Sequence, residues 1–298
     1  MPLPPQGRYE SVPESVYHGE EWSASLNSSS VGLILRSPAH YKAAREFPLE
    51  PTPAMLLGRA IHYAILQPDE LLKNFTGPEP TKPPGKDFDR RTKVGKANYE
   101  RWTTAVLDPW VETHGDKTRL TETEWGHLPG IAASIDRTPE ARYVLGAGLC
   151  ESSFVWDDPA TGITCRCRPD VCGEERNLLV DVKSTTDARP GPFSRAIGIY
   201  GYARQAAHYL DGVNAVLGGG TVTNFVFVVV EKVPPYGVAT YVLDPADVER
   251  GRKQNQRAMR QLAWCLKEGK WPGYGAKITP IGLTKWDRIS IDEREDPQ

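Results

Sequence analysis

One short predicted strand limits what this chain can fold into. The segment at 178–183 reads LLVDVK, and strand geometry places Asp181 and Lys183 on one face. Val180 and Val182 then occupy the other face, which must pack against an apolar layer. A buried strand rarely carries an acid and a base two positions apart unless each has a partner, because burying an uncompensated charge is costly. The fold must therefore supply partners for both charged groups.

The strands are expected in the second half of the chain. Residues 149–157, 162–168 and 178–184 are predicted to form short strands separated by turns. The elements predicted after them are a helix at 193–216, a buried strand at 224–230, its partner at 238–243 and a helix at 245–266. The order βββαββα indicates an α/β fold with antiparallel or mixed strand pairing.

The first half is predicted to be mainly helical and to wrap around that sheet. Its predicted helices are a short one starting near Asn27 and longer ones at 53–72, 94–111 and 121–144, the last interrupted at Pro129 and Pro139. We interpret 23–286 as one domain, with a helical part at 23–147 and the sheet with its helices at 148–286. Residues 1–22 are expected to be a loosely held arm, and 287–298 a charged tail.

Composition places the chain among proteins that fold in water, with 39% hydrophobic and 25% charged residues. No apolar run approaches the roughly 20 residues of a membrane helix, and the N-terminus lacks the features of a signal peptide. We therefore expect a cytoplasmic protein with no membrane partner. The five cysteines suit reduced thiols, so no disulfides are expected.

The net charge of -2 gives no general attraction to nucleic acid, so contact with DNA would need a local basic patch. One candidate patch lies between Lys82 and Lys96, in a stretch whose Pro and Gly residues indicate a loop. Its basic residues are Lys82, Lys86, Arg90, Arg91, Lys93 and Lys96. A solvated run of charges is an equally good interpretation of this segment.

A second carboxylate, Asp170, follows the strand that precedes LLVDVK. Asp170 and Asp181 beside one lysine could hold a hard divalent cation, with the Val182 carbonyl as a further oxygen ligand. Such a metal polarises a phosphate and activates water, while Lys183 holds the attacking water or the charge that develops on phosphorus. This is the chemistry of phosphodiester hydrolysis. An ordinary Asp–Lys pair at a strand edge explains the local pattern equally well.

Other chemistries lack their sequence signals. The cysteines at 150, 165, 167 and 172 do not have the paired C-x-x-C spacing of usual zinc or iron–sulfur sites. No G-x-x-x-x-G-K-[ST] or G-x-G-x-x-G loop is present, which excludes a self-contained ATPase and a dinucleotide enzyme.

An ordered set of motifs resembles a known family. The sequence CRCRPD at 165–170, followed by DVKST at 181–185, resembles the PD-(D/E)XK nuclease motif in the form found in RecE-type exonucleases, also called exonuclease eight. Further similar pieces are SSS at 28–30, SPAHYK at 37–42, GRAIH at 58–62, Glu151, and the Q-x-x-x-Y pair Gln205 and Tyr209. The resemblance touches most of residues 28–286.

The resemblance implies a restriction-endonuclease-like core, in which helices flank a central mixed β-sheet. It implies hydrolysis of linear double-stranded DNA from 5′ ends, which leaves 3′ single strands for recombination. The implied cofactor is Mg²⁺, with Mn²⁺ as an alternative. The implied assembly is a ring-shaped homo-oligomer that acts with a single-strand annealing recombinase, in a bacterial cytosol or a phage-infected cell.

The resemblance also implies metal-site roles for individual residues. Asp170 and Asp181 become metal ligands, and Lys183 becomes the catalytic lysine. His62 stands where the family places a metal-site histidine, although by type alone a core histidine bonded to a neighbour is the simpler interpretation. Glu151 is similar to an acid that completes or supports the metal site, with a surface glutamate as the alternative.

The remaining candidates would contact DNA or support the catalytic groups. Gln205 and Tyr209 share one helix face and would position the phosphate or support Lys183, although a structural tyrosine is an equal alternative. The candidate phosphate contacts are Arg59, Arg166 and Arg168, with Lys86, Arg90 and Arg91 from the basic loop. The three arginines that flank motif residues could equally be ion-pair partners of the acids.

Two other functions fit the same motifs. The fold hosts many nucleic-acid specificities, so an endonuclease or a single-strand-specific repair nuclease is one alternative. A non-catalytic module that binds DNA ends is the other.

Overall fold

The computed structural model describes residues 3–275, 278–283 and 288. The helices in this part are α1 (Glu14–Tyr17), α2 (Glu20–Ser23), α3 (Ser28–Arg36), α4 (Pro38–Glu46), α5 (Pro53–Leu66), α6 (Pro68–Asn74), α7 (Lys93–Trp102), α8 (Asp108–His114), α9 (Glu122–Asp136), α10 (Pro139–Leu145), α11 (Pro190–Tyr200), α12 (Tyr202–Leu217) and α13 (Pro245–Glu268). A π-helical turn at Thr103–Leu107 joins α7 to α8. The predicted charged tail lies outside the described residues, apart from Arg288.

The strands form a central sheet and two smaller ones. They are β1 (Gly7–Tyr9), β2 (Phe75–Thr76), β3 (Thr118–Arg119), β4 (Leu149–Cys150), β5 (Ser153–Asp157), β6 (Thr164–Cys167), β7 (Val171–Gly173), β8 (Leu178–Thr185), β9 (Asn224–Glu231) and β10 (Val238–Val242). The five-stranded sheet has the order β10-β9-β8-β7-β4, the three-stranded sheet β1-β5-β6, and the third sheet pairs β2 with β3. In the five-stranded sheet β8 and β9 are parallel and the other pairs antiparallel, so the sheet is mixed.

Strands β8 and β9 are buried on both faces because their side chains alternate between two apolar layers. Leu179 and Phe227 pack in one layer with side chains of α12 and α13. Val180 and Val182 pack in the other layer with side chains of α5 and α9, including Ile61. Asp181 and Lys183 share the parity of Leu179, so they face the α12 side. The central mixed sheet flanked by helices is thereby confirmed, as is the strand parity that the sequence predicts.

Within the described residues, no helix is long and apolar enough to cross a membrane. All five cysteines are free thiols, and Cys165 and Cys167 are buried on β6.

Several predicted elements are broken where the backbone requires it. The predicted helix at 193–216 is two helices, because Gly201 between them is left-handed with φ of 72°. The predicted helix at 53–72 ends at Leu66, and Pro68 starts the next one. At 121–144, the proline at 139 begins a new helix, whereas the one at 129 lies inside α9.

The predicted strand at 149–157 is also wrong as one element. It is two strands that belong to different sheets, with Glu151 at the break. The short strand β7 was not predicted, because its three residues follow directly on the R-P-D turn and show no alternation of their own.

The expectation that residues 1–22 pack loosely is wrong for most of the segment. Gly7–Tyr9 pairs antiparallel with β5, and Tyr17 and Trp22 are buried around Val155. The Pro-rich, polar composition of this stretch led to the expectation, but its aromatic residues form a small apolar cluster of their own. The N-terminal segment, defined here as residues 7–22, is therefore an outer layer on the three-stranded sheet.

Candidate active site

Two acidic residues lie where the chain passes between the two larger sheets. Glu151 separates β4 from β5, and Asp170 separates β6 from β7. The two crossing points are tied together, because the Glu151 N–H donates to the Asp170 carbonyl oxygen at 3.1 Å. Glu151 has a φ of 55°, a left-handed conformation that residues with a Cβ rarely adopt and that is common at functional sites.

Helix α5 adds a histidine to these acids. His62 Nδ1 lies 3.5 Å from Asp170 Oδ1. One ligand atom from each of His62, Glu151 and Asp170 lies within 4.8 Å of the others. Because α5 packs on the Val180 and Val182 face of β8, its register brings His62 to the acids rather than to solvent. The donor set, one imidazole and two carboxylates, fits a divalent cation.

The two carboxylates of this cluster carry more negative charge than one protonated histidine can balance. Burial lowers the pKa of His62, but the charge and hydrogen bond of Asp170 outweigh it and raise the pKa to about 9. Burial raises the pKa of Glu151, and the charge of Asp170 adds to this, giving about 8. Burial also raises the pKa of Asp170, yet His62 keeps it below its ordinary value. A bound cation would relieve the repulsion between the acids.

Asp170 is also fixed to strand β8. Its Oδ2 accepts a hydrogen bond of 2.5 Å from the Val182 N–H, and Asp170 as a whole residue is 6% exposed. The Val182 backbone thus contacts the site through its N–H, and the contribution of its carbonyl to a metal stays a prediction.

Asp181 and Lys183 form a buried ion pair next to this cluster. Lys183 Nζ contacts Asp181 Oδ2, and Asp181 Oδ1 accepts a hydrogen bond of 2.7 Å from Gln205 Nε2. Burial raises the pKa of Asp181, which the Lys183 charge offsets only in part. Burial lowers the pKa of Lys183, but Asp181 reverses this and raises it. Asp181 is not among the three clustered ligands, but it is close enough for the Asp170 charge to act on its pKa.

A cavity of about 340 Å³ opens beside the His62 cluster. Its lining residues are Glu14, Tyr17, His18, Asn27, Ser28, Ser29, Gly58, Arg59, His62, Tyr63, Glu151, Arg168, Asp170 and Tyr209. Tyr209 lies one turn beyond Gln205 on α12. Tyr209 lines the cavity, whereas Gln205 donates a hydrogen bond to Asp181. The cavity therefore joins the predicted metal cluster to the predicted helix motif.

The predicted arginines have different environments. Arg59 lines the cavity and pairs with Glu14, Nε to Oε1, at 3.1 Å. Arg168 lines the cavity as well, but its guanidinium also donates to Ser153 Oγ at 2.8 Å and to the Val12 carbonyl at 3.0 Å. Both can face a phosphate, and Arg168 in addition holds the N-terminal segment.

Arg166 is not available as a phosphate contact, which corrects the expectation from the sequence. Its residue surface is 4% exposed, and its guanidinium donates to backbone carbonyls of Trp22 and Ser25 and lies over the Tyr17 ring. The side chain that flanks the motif thus anchors the N-terminal segment, because its guanidinium is buried among the carbonyl oxygens of that segment and the residues after it.

The basic loop is exposed around a short helical turn at Lys86–Phe88. Arg91 pairs with Asp89 at 2.8 Å, and Arg90 lies over the Tyr99 ring at 4.7 Å. Lys86 and Arg90 line a shallow surface pocket of their own. The loop is thus a separate surface from the cavity.

Two further residues reach the site without having been predicted. Glu14 joins Arg59 to Tyr63, whose hydroxyl donates to Glu14 Oε2 at 3.2 Å. Tyr202 lies under the Lys183 ammonium, with 4.6 Å from Nζ to the ring centroid. Tyr202 stands three positions before Gln205 on the same helix, which is a signal that could have found it. Glu14 carries no local signal.

Comparison with known proteins agrees with this geometry. The family model described as PDDEXK-like domain of unknown function (DUF3799) matches residues 27–282. No curated protein sequence matches the chain. A crystal structure of a candidate exonuclease from Eubacterium rectale superposes with a TM-score of 0.56 at 12% identity, covering 95% of this chain and 99% of that one. At this low sequence identity, the superposition shows that the two chains share a fold.

A phage-related exonuclease from Haemophilus somnus 129PT has a TM-score of 0.31 at 13% identity, covering 64% of this chain and 92% of that one. The family match and the mixed sheet together place the chain on a PD-(D/E)XK core. They support a nuclease.

Proposed function

We propose, from the premise that this chain belongs to the DUF3799 family of PDDEXK-like domains, that it is a metal-dependent exodeoxyribonuclease. The observation that carries the proposal is the position of the His62, Glu151 and Asp170 cluster beside the Asp181–Lys183 pair. A metal-ligand set and a lysine with a carboxylate partner are what phosphodiester hydrolysis needs.

The metal would be held by His62, Glu151 and Asp170, with Asp181 and the Val182 carbonyl as further proposed ligands. Carboxylates suit Mg²⁺, and the imidazole makes Mn²⁺ the natural alternative. When bound, such an ion lowers the pKa of water and stabilises charge on the phosphate oxygens.

The side chains around the metal site have separable tasks. Lys183, kept charged by Asp181, holds the attacking water or the negative charge that develops on phosphorus. Gln205 fixes the orientation of Asp181 through its hydrogen bond, so it acts as a positioning residue. Tyr209 borders the cavity, and we propose that its hydroxyl contacts the phosphate or sugar.

The cavity favours one strand over a whole duplex. A space of about 340 Å³ takes a single nucleotide unit and not the width of a double helix. Arg59 and Arg168 supply positive charge at its wall, and Lys86, Arg90 and Arg91 offer a second basic surface. These features support a substrate whose terminal strand enters the cavity, which is how we propose that linear DNA ends are chosen.

The finer parts of the proposal depend on the resemblance to RecE-type exonucleases. They are Mg²⁺ as the working ion, attack from the 5′ end of double-stranded DNA, a ring-shaped homo-oligomer and a single-strand annealing partner. Each is a prediction for this chain.

The experiment compares linear and covalently closed duplex DNA with MgCl₂, with label at either the 5′ or the 3′ end. We expect linear DNA alone to be degraded, with early release of the 5′ label. Equal cutting of closed circles would overturn the exonuclease assignment. Asp181→Ala and Lys183→Ala are expected to abolish degradation, and full degradation by both would show that this pair is not the catalytic centre. Wild-type protein that binds linear ends without degrading them would indicate a non-catalytic DNA-end-binding module.

A further inference from the structure

Beyond the metal cluster, an exposed aromatic residue lies near the catalytic lysine. At the end of α11, Tyr200 is 66% exposed and its neighbour Ile199 is 75% exposed. The Tyr200 ring stacks on Tyr202 with centroids 5.6 Å apart and planes at 29°. Tyr202 in turn lies under Lys183 Nζ. A continuous line of contacts therefore runs from solvent to the Asp181–Lys183 pair.

The backbone holds Tyr200 in this position. Gly201 has a φ of 72°, which ends α11 and starts α12 without a longer loop. The break turns the last residues of α11 outward while Tyr202 stays packed against Phe227 at 5.8 Å. Tyr200 and its neighbour Ile199 thus leave two adjacent apolar side chains exposed at this helix end, beside the Asp181–Lys183 pair.

A cation accompanies the exposed ring. The guanidinium of Arg204 packs on Gly201, in the space that a Cβ there would need. Among the described residues its hydrogen-bond partner is the neutral side chain of Gln254, at 3.3 Å, and no carboxylate pairs with it. Its Nε is buried with no hydrogen-bond partner in the described part of the chain. Within the described residues, the charge on Arg204 thus has no anionic partner.

We propose that Tyr200 and Arg204 form a nucleotide platform, on which a base stacks against Tyr200 while the adjoining phosphate meets Arg204. The proposal extends the proposed nuclease function by naming where a nucleotide next to the cut bond is held. Aromatic rings bind bases of any sequence because every base has a π-face, and arginine matches phosphate oxygens. The platform lies on the Lys183 side of the site, and the cavity lies on the His62 side. A strand held at both places would pass across the catalytic groups.

The test measures binding of short phosphorothioate oligonucleotides, which resist cleavage, in the presence of MgCl₂. An abasic site is moved through the oligonucleotide one position at a time. We expect wild-type affinity to fall about tenfold at one position, because the base that stacks on the aromatic ring is missing there. Tyr200→Ala is expected to show the weaker affinity with intact DNA and no further loss with the abasic site. Tyr200→Phe, which keeps the ring, is expected to behave as wild type.

Tyr143→Ala is the matched control, since Tyr143 is 61% exposed on α10 in the helical layer on the other face of the sheet. It is expected to keep both the affinity and the abasic penalty. Arg204→Gln is expected to lower the salt dependence of binding by about one phosphate contact.

The platform is overturned if Tyr200→Ala keeps the abasic penalty, or if no abasic position weakens the wild type. It is also overturned if Tyr200→Ala changes the oligomeric state and leaves DNA affinity unchanged, because Tyr200 would then be a subunit contact. Failure of the proposed function is distinct, since it would appear as wild-type protein that does not degrade unmodified linear DNA.

Discussion

At the residue scale, a double variant can separate the catalytic role proposed for Lys183 from its role as the partner of Asp181. Lys183→Ala leaves Asp181 buried without its cation, so we expect it to lower stability by about 3–5 kcal/mol. It should also lower DNA hydrolysis roughly 100-fold or more. The variant Asp181→Asn with Lys183→Met removes both charges and is expected to regain stability without regaining activity. Urea unfolding and degradation of end-labelled DNA measure the two effects.

Lys267→Ala, an exposed lysine at the end of α13, is the control and should change neither quantity. If the double variant were as unstable as Lys183→Ala, the instability would come from lost packing rather than from the unpaired Asp181.

His208 gives a pH dependence that is independent of the metal cluster. Burial lowers its pKa from 6.5 to about 4, and its Nε2 lies 3.0 Å from the Arg166 carbonyl oxygen. Between pH 6.5 and 4 the unfolded chain binds a proton at His208 that the folded chain does not bind. The contribution of His208 to stability is therefore full above pH 6.5 and falls as the pH drops towards 4. Between pH 8 and 5 we expect His208 to account for a loss of about 2 kcal/mol.

The measurement for His208 is urea unfolding of wild type and His208→Gln at pH 8 and pH 5. Glutamine keeps a donor for the Arg166 carbonyl but does not titrate, so its stability should fall less with pH. Parallel stability profiles would contradict the shifted pKa.

Single residues of the site differ in how far the sequence predicts them. Strand parity and one turn predict Asp170, Asp181 and Lys183. Side chains two positions apart share one face of a strand, and this holds even when the ends of the strand are not known. The meeting of Gln205 with Asp181 required the resemblance in addition. Glu14 could not be predicted, because its contact with Arg59 arises from tertiary packing of residues far apart in the chain.

At the element scale, the N-terminal segment closes the cavity from outside the matched family region. The family match begins at residue 27, yet Glu14, Tyr17 and His18 line the cavity. We expect Trp22→Ala to detach this segment, since Trp22 is 3% exposed and large-to-small changes in a core cost about 3–5 kcal/mol. Activity should fall as well, because the cavity wall is lost. Urea unfolding, limited proteolysis and DNA degradation measure the three consequences.

Trp264→Ala is the matched control, because Trp264 is 46% exposed on α13. It is expected to change stability much less than Trp22→Ala and to leave the protease sensitivity of residues 7–22 unchanged. Equal effects of the two tryptophans would show that burial of Trp22 does not hold the segment.

Elements with strong patterns were predicted to within a few residues, and the misses have physical causes. Strand β9 and helix α13 are nearly as expected, because a dense apolar run and a long amphipathic pattern define them. The break at Gly201 was missed because an isolated glycine is tolerated in a helix, and only its left-handed backbone shows that two helices meet. The composition of the N-terminal segment predicts a loose arm because its Pro and polar residues outnumber the aromatic residues that pack around Val155.

At the scale of the whole molecule, the candidate metal site ties two sheets and a helix together. Glu151 and Asp170 belong to the crossings between the sheets, and His62 comes from α5. A cation that binds all three should therefore stabilise the whole fold, by about 2.7 kcal/mol at a concentration 100 times its dissociation constant. We expect MgCl₂ or MnCl₂ to raise the melting temperature by several degrees and EDTA to reverse the change.

The melting-temperature shift should disappear in Asp170→Asn, because the cluster loses the acid that faces both His62 and the Val182 N–H. Glu100→Gln, an exposed acid on α7, is the control and should keep the full shift. The same shift in Asp170→Asn as in wild type would place the ion elsewhere on the molecule. A shift that is lost in Asp170→Asn, together with lost DNA degradation, would join metal binding, fold stability and catalysis at one place, where the two sheets meet.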